Sequence, residues 1–338
     1  MVPIIDLHCD LLGYLDDQPG STPDDVDKIG CALPHLRAGG VKLQVCALFA
    51  TSAPGSSDRG MNQGDIFQEL IESGRFKAWK MRNTTWEKVL ADDAIYAIPA
   101  IENASVFAEE DEKIERSLYR FEMLLTKIGK PLYISLTHNE ANRFGGGNMS
   151  QEGLLPDGAV LLEYLDKRDI AVDLSHTSPK LAHDIFKYIA ARELDVPMIA
   201  SHSNFQEIVA HPRNLPDPYV EYLRKKGGIQ GLNFIKDFLG PDDHEMLYTH
   251  FAHGKKMGIP MAFAADFFPV SSLPLETRRP NGYFFPELHD ASVYPKILNK
   301  LSETFSQEEI NAIAHGNALQ FLKQLRFFED PWTEPVKQ

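Results

Sequence analysis

The chain has 338 residues, 43% of them hydrophobic and 24% charged, an ordinary globular mix that excludes a disordered or fibrous protein. Its 48 acidic residues against 34 basic ones give a formal net charge of −14, which argues against nucleic-acid binding and against electrostatic docking on anionic lipid. No apolar run reaches the roughly 18 residues of a membrane span, and the three cysteines, Cys9, Cys31 and Cys46, are too few for a disulfide framework or a cysteine zinc site.

The N-terminus runs directly into a strand-like segment without a basic region or cleavage site, so the sequence predicts a soluble, cytoplasmic protein. In chain order, residues 3–9 form the first apolar run, followed by a polar, turn-rich loop over 16–28. Further strand candidates are 41–50 and 94–101. A helix is expected over 111–129, with Ile114, Leu118, Phe121, Leu124, Leu125 and Ile128 on one face and Gly129 and Pro131 as stops. Strand candidates 132–137 and 170–175 precede a helix over 179–193 introduced by Ser178. Candidates 197–201 and 228–234 precede a helix over 242–258. The eighth strand candidate is 260–265. A proline-rich loop over 267–292 follows, and Ser306 with Glu309 makes a capping box for a helix through Phe321.

Most of the eight runs are nearly continuous in hydrophobic residues, the pattern of parallel strands buried on both faces. Their alternation with helices, without a linker or repeat, predicts one (β/α)₈ barrel over residues 1–338 as a single domain. A doubly wound open sheet is the competing architecture, and no glycine-rich fingerprint follows any strand to favour it.

Six of the eight runs finish on a potential metal ligand or acid/base group: His8 with Asp10, then Glu102, His138, His176, His202 and Asp266. In a barrel these ends share the C-terminal rim, where active sites are built. Residues i and i+2 of a strand face the same way, so His8 and Asp10 can serve one ion. Three imidazoles and two or three carboxylates suit borderline divalent ions such as Zn²⁺. Five ligands exceed the needs of one catalytic ion, and two ions sharing a bridging carboxylate and a hydroxide account for them better. Taken singly, each residue has a plainer explanation: a core histidine, a salt-bridge glutamate, a helix-capping aspartate. Cys9 should point to the opposite strand face and pack. His244, His250 and His253 fall in one predicted helix and read as a solvated face.

Through the blocks DLSHTS at 173–178, ASHSN at 200–204 and HPRNL at 211–215, the sequence resembles the membrane dipeptidase (renal dipeptidase) family, peptidase family M19 of the amidohydrolase superfamily, over about residues 3–325. The resemblance rests also on Asp6-Leu7-His8-Cys9-Asp10-Leu11, on Ile101-Glu102-Asn103 and on LTHNEAN at 136–142. The blocks at 173–178, 200–204 and 211–215 carry it furthest, with ASVYPKILNKL and HGNALQFL towards the end. It implies two Zn²⁺ ions per subunit: His8 and Asp10 on one, His176 and His202 on the other, Glu102 bridging. It further implies that His138 contacts the scissile carbonyl or its oxyanion, that Arg213 binds the substrate's C-terminal carboxylate, and that Asp266 takes a proton from the bridging water and passes it to the leaving amine. A dipeptide substrate, with a D-residue allowed at its C-terminal position, and a homodimer are implied as well.

The sequence departs from the family pattern at Cys9 (asparagine is common), at Asn103 (glycine is usual) and at Phe267-Phe268-Pro269, where the family has Phe-Asp-Gly. None of these removes a ligand. The last changes the rim beside Asp266 and leaves the particular substrate open. A related amidase, lactonase or phosphoester hydrolase, or a metal-binding protein without activity, are the alternatives.

Overall fold

The computed structural model describes residues 1–79, 84–270, 273, 278–279 and 281–327. Within them run nine strands: β1 (Ile4–Cys9), β2 (Val41–Phe49), β3 (Lys77–Ala78), β4 (Tyr96–Glu102), β5 (Tyr133–Ser135), β6 (Ala171–Asp173), β7 (Met198–Ile199), β8 (Gln230–Leu232) and β9 (Met261–Phe263). The ladders between them are parallel, in the order β7-β6-β5-β4-β2-β1-β9-β8. A parallel bridge between Ala200 and Gln230 joins the two ends, so eight strands with helices between them make a (β/α)₈ barrel. At this seam the Gly231 N–H donates to the Ala200 carbonyl at 2.8 Å. The seam is tight, and a Cβ on Gly231 would overlap the Ser201 carbonyl.

Ile5, Leu7, Leu43, Val45, Ile98, Ala100, Tyr133, Ala171, Ile199, Ala262 and Ala264 belong to one buried cluster. They come from strands all round the ring or, for Ala264, from just past β9, so the barrel interior is where they meet. A second, larger cluster includes Phe121, Leu124, Leu181, Ile185 and Phe251 of the surrounding helices. This two-sided burial is why the strand sequences are hydrophobic almost throughout.

Two differences from the sequence reading concern the strands. The short β3 was not expected. Two residues carry no detectable period, and β3 lies outside the barrel path, pairing with Tyr96 and Ala97 of β4. Several ladders are also shorter than the hydrophobic runs. β5, β6, β7 and β9 stop at Ser135, Asp173, Ile199 and Phe263, each three residues before His138, His176, His202 and Asp266. Those four side chains therefore stand on rim turns rather than on the strands themselves.

The helices Ile114–Ile128 and Pro179–Ala191 lie where the periodicity places them. Ser178 caps the second by accepting from the Leu181 N–H. The loop predicted over 16–28 starts slightly later, because the helix Leu11–Asp17 runs into it. The Ser306–Glu309 capping box is formed, but the helix it opens is interrupted by a π turn over Ala312–Gly316 before continuing as Asn317–Gln324. Of the long loop after β9, residues 271–272, 274–277 and 280 lie outside the described residues. Among the described residues no helix is long and apolar enough to cross a membrane.

The solvated reading of His250 and His253 is overturned. The helix Met246–Met257 lies against the Phe205 segment, whose ring meets both residues, and the turn ending at Leu239 covers His250. His250 is fully buried, accepting from the Phe205 N–H at 3.2 Å and contacting the Leu239 carbonyl at 2.9 Å. The Asp217 carboxylate meets the His253 ring at 2.9 Å. Burial lowers the His250 pKa from 6.5 to about 4. Between those two pH values the unfolded chain binds the proton and the folded chain does not, so stability falls as pH falls through the window. The total is on the order of 3 kcal/mol. His250→Gln should flatten the slope of Tm against pH between 6.5 and 4 relative to the parent. Parallel curves for the two proteins would refute a neutral buried His250.

Candidate metal and catalytic centre

Glu102 closes β4 and is the point on which the rim converges. Its Oε1 lies 2.9 Å from His176 Nε2, 3.4 Å from His202 Nε2 and 3.9 Å from His138 Nε2. Its Oε2 faces the other way, 3.6 Å from His8 Nε2. His8 Nε2 is in turn 3.8 Å from Asp10 Oδ1 and 3.5 Å from Asp266 Oδ1. The groups able to hold a cation among the described residues are His8–Glu102–His202, Glu102–His138–His176 and His8–Asp10–Asp266. All seven rim residues singled out in the sequence thus meet within one cluster.

Local backbone features aim these side chains. Between Asp6 and Cys9, three steps along β1 match two along β2, from Gln44 to Cys46. This bulge replaces the plain i, i+2 alternation expected for His8 and Asp10, and Asp10 sits just beyond the strand at the N-terminus of the helix Leu11–Asp17. His176 and Asp266 have φ of 63° and 62°, and Asn103, next to Glu102, has 70°. Such conformations cost about 1–3 kcal/mol each in a non-glycine residue and gather at functional sites. Cys9 is buried on the far side of β1 among apolar residues, as its strand position predicted.

Each of the three inward imidazoles has its Nδ1 engaged, which fixes ring and tautomer together. His8 Nδ1 lies 2.6 Å from the Tyr133 hydroxyl, which itself donates to the Leu7 carbonyl at 3.1 Å. Ser201 Oγ lies 2.6 Å from His202 Nδ1 and donates to Asp173 Oδ2 at 2.6 Å. His176 Nδ1 is 3.2 Å from Asn148 Oδ1 and 3.3 Å from Asn139 Oδ1. In all three the acceptors assign the proton to Nδ1 and leave the Nε2 lone pair facing Glu102. Asp173, Ser201, Tyr133, Asn139 and Asn148 were not singled out in the sequence. Asp173 stands inside the DLSHTS block, but its role depends on Ser201, 28 residues away along the chain.

Burial, reinforced by the Arg213 and His138 charges, lowers the His8 pKa to about 3; burial with Arg213 does the same for His138. His176 and His202 are pushed down by the same main cause. Asp10 and Glu102 are raised by burial and by neighbouring carboxylates. Asp266 rises to about 7, burial outweighing the opposing Arg213 charge. Neutral imidazoles around crowded carboxylates are what a divalent cation would relieve. His8 Nε2 and Asp10 Oδ1 are moreover buried without a hydrogen-bond partner among the described residues. The donor set therefore fits a metal centre.

Arg213 is placed by the turn in which Phe205 bridges Leu215. It is 3% exposed, its Nη1 donating to Ser203 Oγ at 2.8 Å and Nη2 to the His202 carbonyl at 3.1 Å. Its Nε is buried without a partner among the described residues. A narrow cleft beside it is lined by His176, Thr177, Gln206 and Tyr219 among others.

The family described as membrane dipeptidase (peptidase family M19) matches residues 1–335. Dipeptidase verJ of Clonostachys rogersoniana is 26% identical, over 99% of this chain and 92% of its own length. An uncharacterized dipeptidase of Schizosaccharomyces pombe is 29% identical over 60% of this chain, a match spanning 51% of that protein. Among solved structures, a metallopeptidase from Rhodobacter sphaeroides liganded with a phosphinate mimic of L-Ala-D-Ala superimposes with a TM-score of 0.78. It is 20% identical, covering 96% of this chain and 99% of the other.

Proposed function

The chain belongs to the membrane dipeptidase family, peptidase family M19, and we propose that it hydrolyses the peptide bond of dipeptides at a centre of two zinc ions held by His8, Asp10, Glu102, His176 and His202. The observation that carries this reading is the division of the Glu102 carboxylate, Oε2 towards His8 and Oε1 towards His176 and His202. A carboxylate with nitrogen donors on both sides is suited to bridging. Bound there, the ions would supply Lewis acidity and a water whose pKa is lowered towards about 7.

The chain's own residues supply the rest. Arg213, with Nε unpartnered among the described residues, holds the substrate's carboxylate and so selects a peptide bond one residue from the C-terminus. His138, neutral by burial yet with a quarter of its side chain exposed, donates a hydrogen bond to the carbonyl oxygen as it gains charge. Asp266 accepts a proton at the reacting face and returns it to the leaving amine. Because Arg213 contacts carboxylate rather than side chain, a D-residue at the C-terminal position is accommodated.

The test is a panel of L-L and L-D dipeptides, with C-terminally amidated counterparts, on zinc-loaded protein with and without chelator. Hydrolysis of the free-carboxylate dipeptides that chelator abolishes is the expected result. Preference for amides, lactones or phosphoesters would assign the centre to another hydrolase activity, and chelator-insensitive turnover would refute the metal reading.

A further inference from the structure

We propose that Asn103 is a positioning residue that sets the loop carrying His138, an inference that rests on the dipeptidase reading only for its kinetic consequence. Asn103 follows Glu102 at φ 70° and ψ 113°, a positive φ that costs glycine less than other residues. Its side chain is what makes the residue useful there. Asn103 is 1% exposed and its carboxamide has two donors and two acceptor positions, matched by four partners. Nδ2 donates to the Ala50 carbonyl at 2.8 Å and to Ser52 Oγ at 3.1 Å, just past the end of β2. Oδ1 accepts from the Ser105 N–H at 3.2 Å and from Asn142 Nδ2 at 2.9 Å.

The bond to Asn142 reaches the loop. Asn142 Nδ2 also donates to the Leu136 carbonyl at 2.7 Å, and Asn142 Oδ1 accepts from the Phe144 N–H at 2.8 Å. The segment 138–148 is thus tied at its middle to the side chain that follows Glu102. That segment carries His138 and supplies both amide oxygens, from Asn139 and Asn148, that face His176 Nδ1. Asn103 thereby links the turn after Glu102 to the loop that carries His138 and the two amides facing His176.

Asn103→Gly tests this, because glycine takes a positive φ and removes the side chain that makes the four bonds. In the variant, amide hydrogen exchange over 138–148 should accelerate while exchange in the barrel strands and the zinc content stay near the parent's, and the melting temperature should fall by the cost of the partners left unsatisfied. On the dipeptide that the parent turns over best, kcat should fall roughly 10-fold with KM within about twofold, since the carboxylate contact at Arg213 lies on another loop. A purely structural role would lower the melting temperature in the same way but leave that split absent. Parent-like exchange over 138–148, or accelerated exchange with unchanged kcat, overturns the proposal. If the parent hydrolyses no dipeptide, the functional reading fails, while the exchange measurement still decides whether Asn103 holds the loop.

Discussion

Asp266→Asn is expected to keep its metal content and lose about 10²- to 10⁴-fold in turnover, the usual contribution of a general acid–base group. The substitution is a clean one. Asp266 has φ 62°, a conformation that asparagine tolerates as well as aspartate, and the amide keeps the carboxylate's volume. Proton exchange is removed together with the carboxylate's charge. Asp266 is 6% exposed, its pKa is raised to about 7 chiefly by burial, and its Oδ1 stands 3.5 Å from His8 Nε2. It thus lies at the edge of the cluster, beside His8. Metal analysis and kcat on the same preparation decide the matter. Turnover near the parent's would remove Asp266 from the proton path, and loss of zinc would make it a ligand instead.

The sequence carried the barrel and the rim because both follow from short-range pattern. Continuous apolar runs reported strands buried on two faces, and a charged or imidazole residue closing such a run is legible as an end that faces a site. Glu102, His138, His176, His202 and Asp266 were found in this way, although four of them lie three residues past the ladders. What fixes them there was not legible. The bulge at Asp6–Cys9 is defined only by register with β2, and the positive φ of His176 and Asp266 leaves no compositional mark when the residue is not glycine. The partners of the imidazoles come from other strands and loops: Tyr133 for His8, Asn139 and Asn148 for His176, and Asp173 through Ser201 for His202. Their pairing depends on the three-dimensional closure of the barrel. His250 failed in the opposite sense, because a polar residue at helical spacing looks solvated until the covering segments, at Phe205 and Leu239, are seen.

Arg213→Ala is expected to lower kcat/KM for free-carboxylate dipeptides by roughly 10²- to 10³-fold, within the 2–5 kcal/mol cost of truncating one side of a buried charged contact. The corresponding C-terminally amidated dipeptides should change far less, since they offer no carboxylate to lose. The metal centre should survive the change. The His202 carbonyl, which Arg213 Nη2 contacts, also accepts from Asn233 Nδ2 at 2.9 Å, and the His202 N–H remains bonded to Ser175 Oγ at 3.0 Å. Arg213→Lys should recover little. An ammonium keeps the charge but cannot present the flat edge of donors that includes Nε, the atom without a partner among the described residues. Equal losses on free and amidated substrates would mean that Arg213 acts through the field it exerts on His8 and His138 rather than by binding carboxylate. An unchanged kcat/KM on the best substrate would transfer the chain from the dipeptidases to another activity of the same barrel.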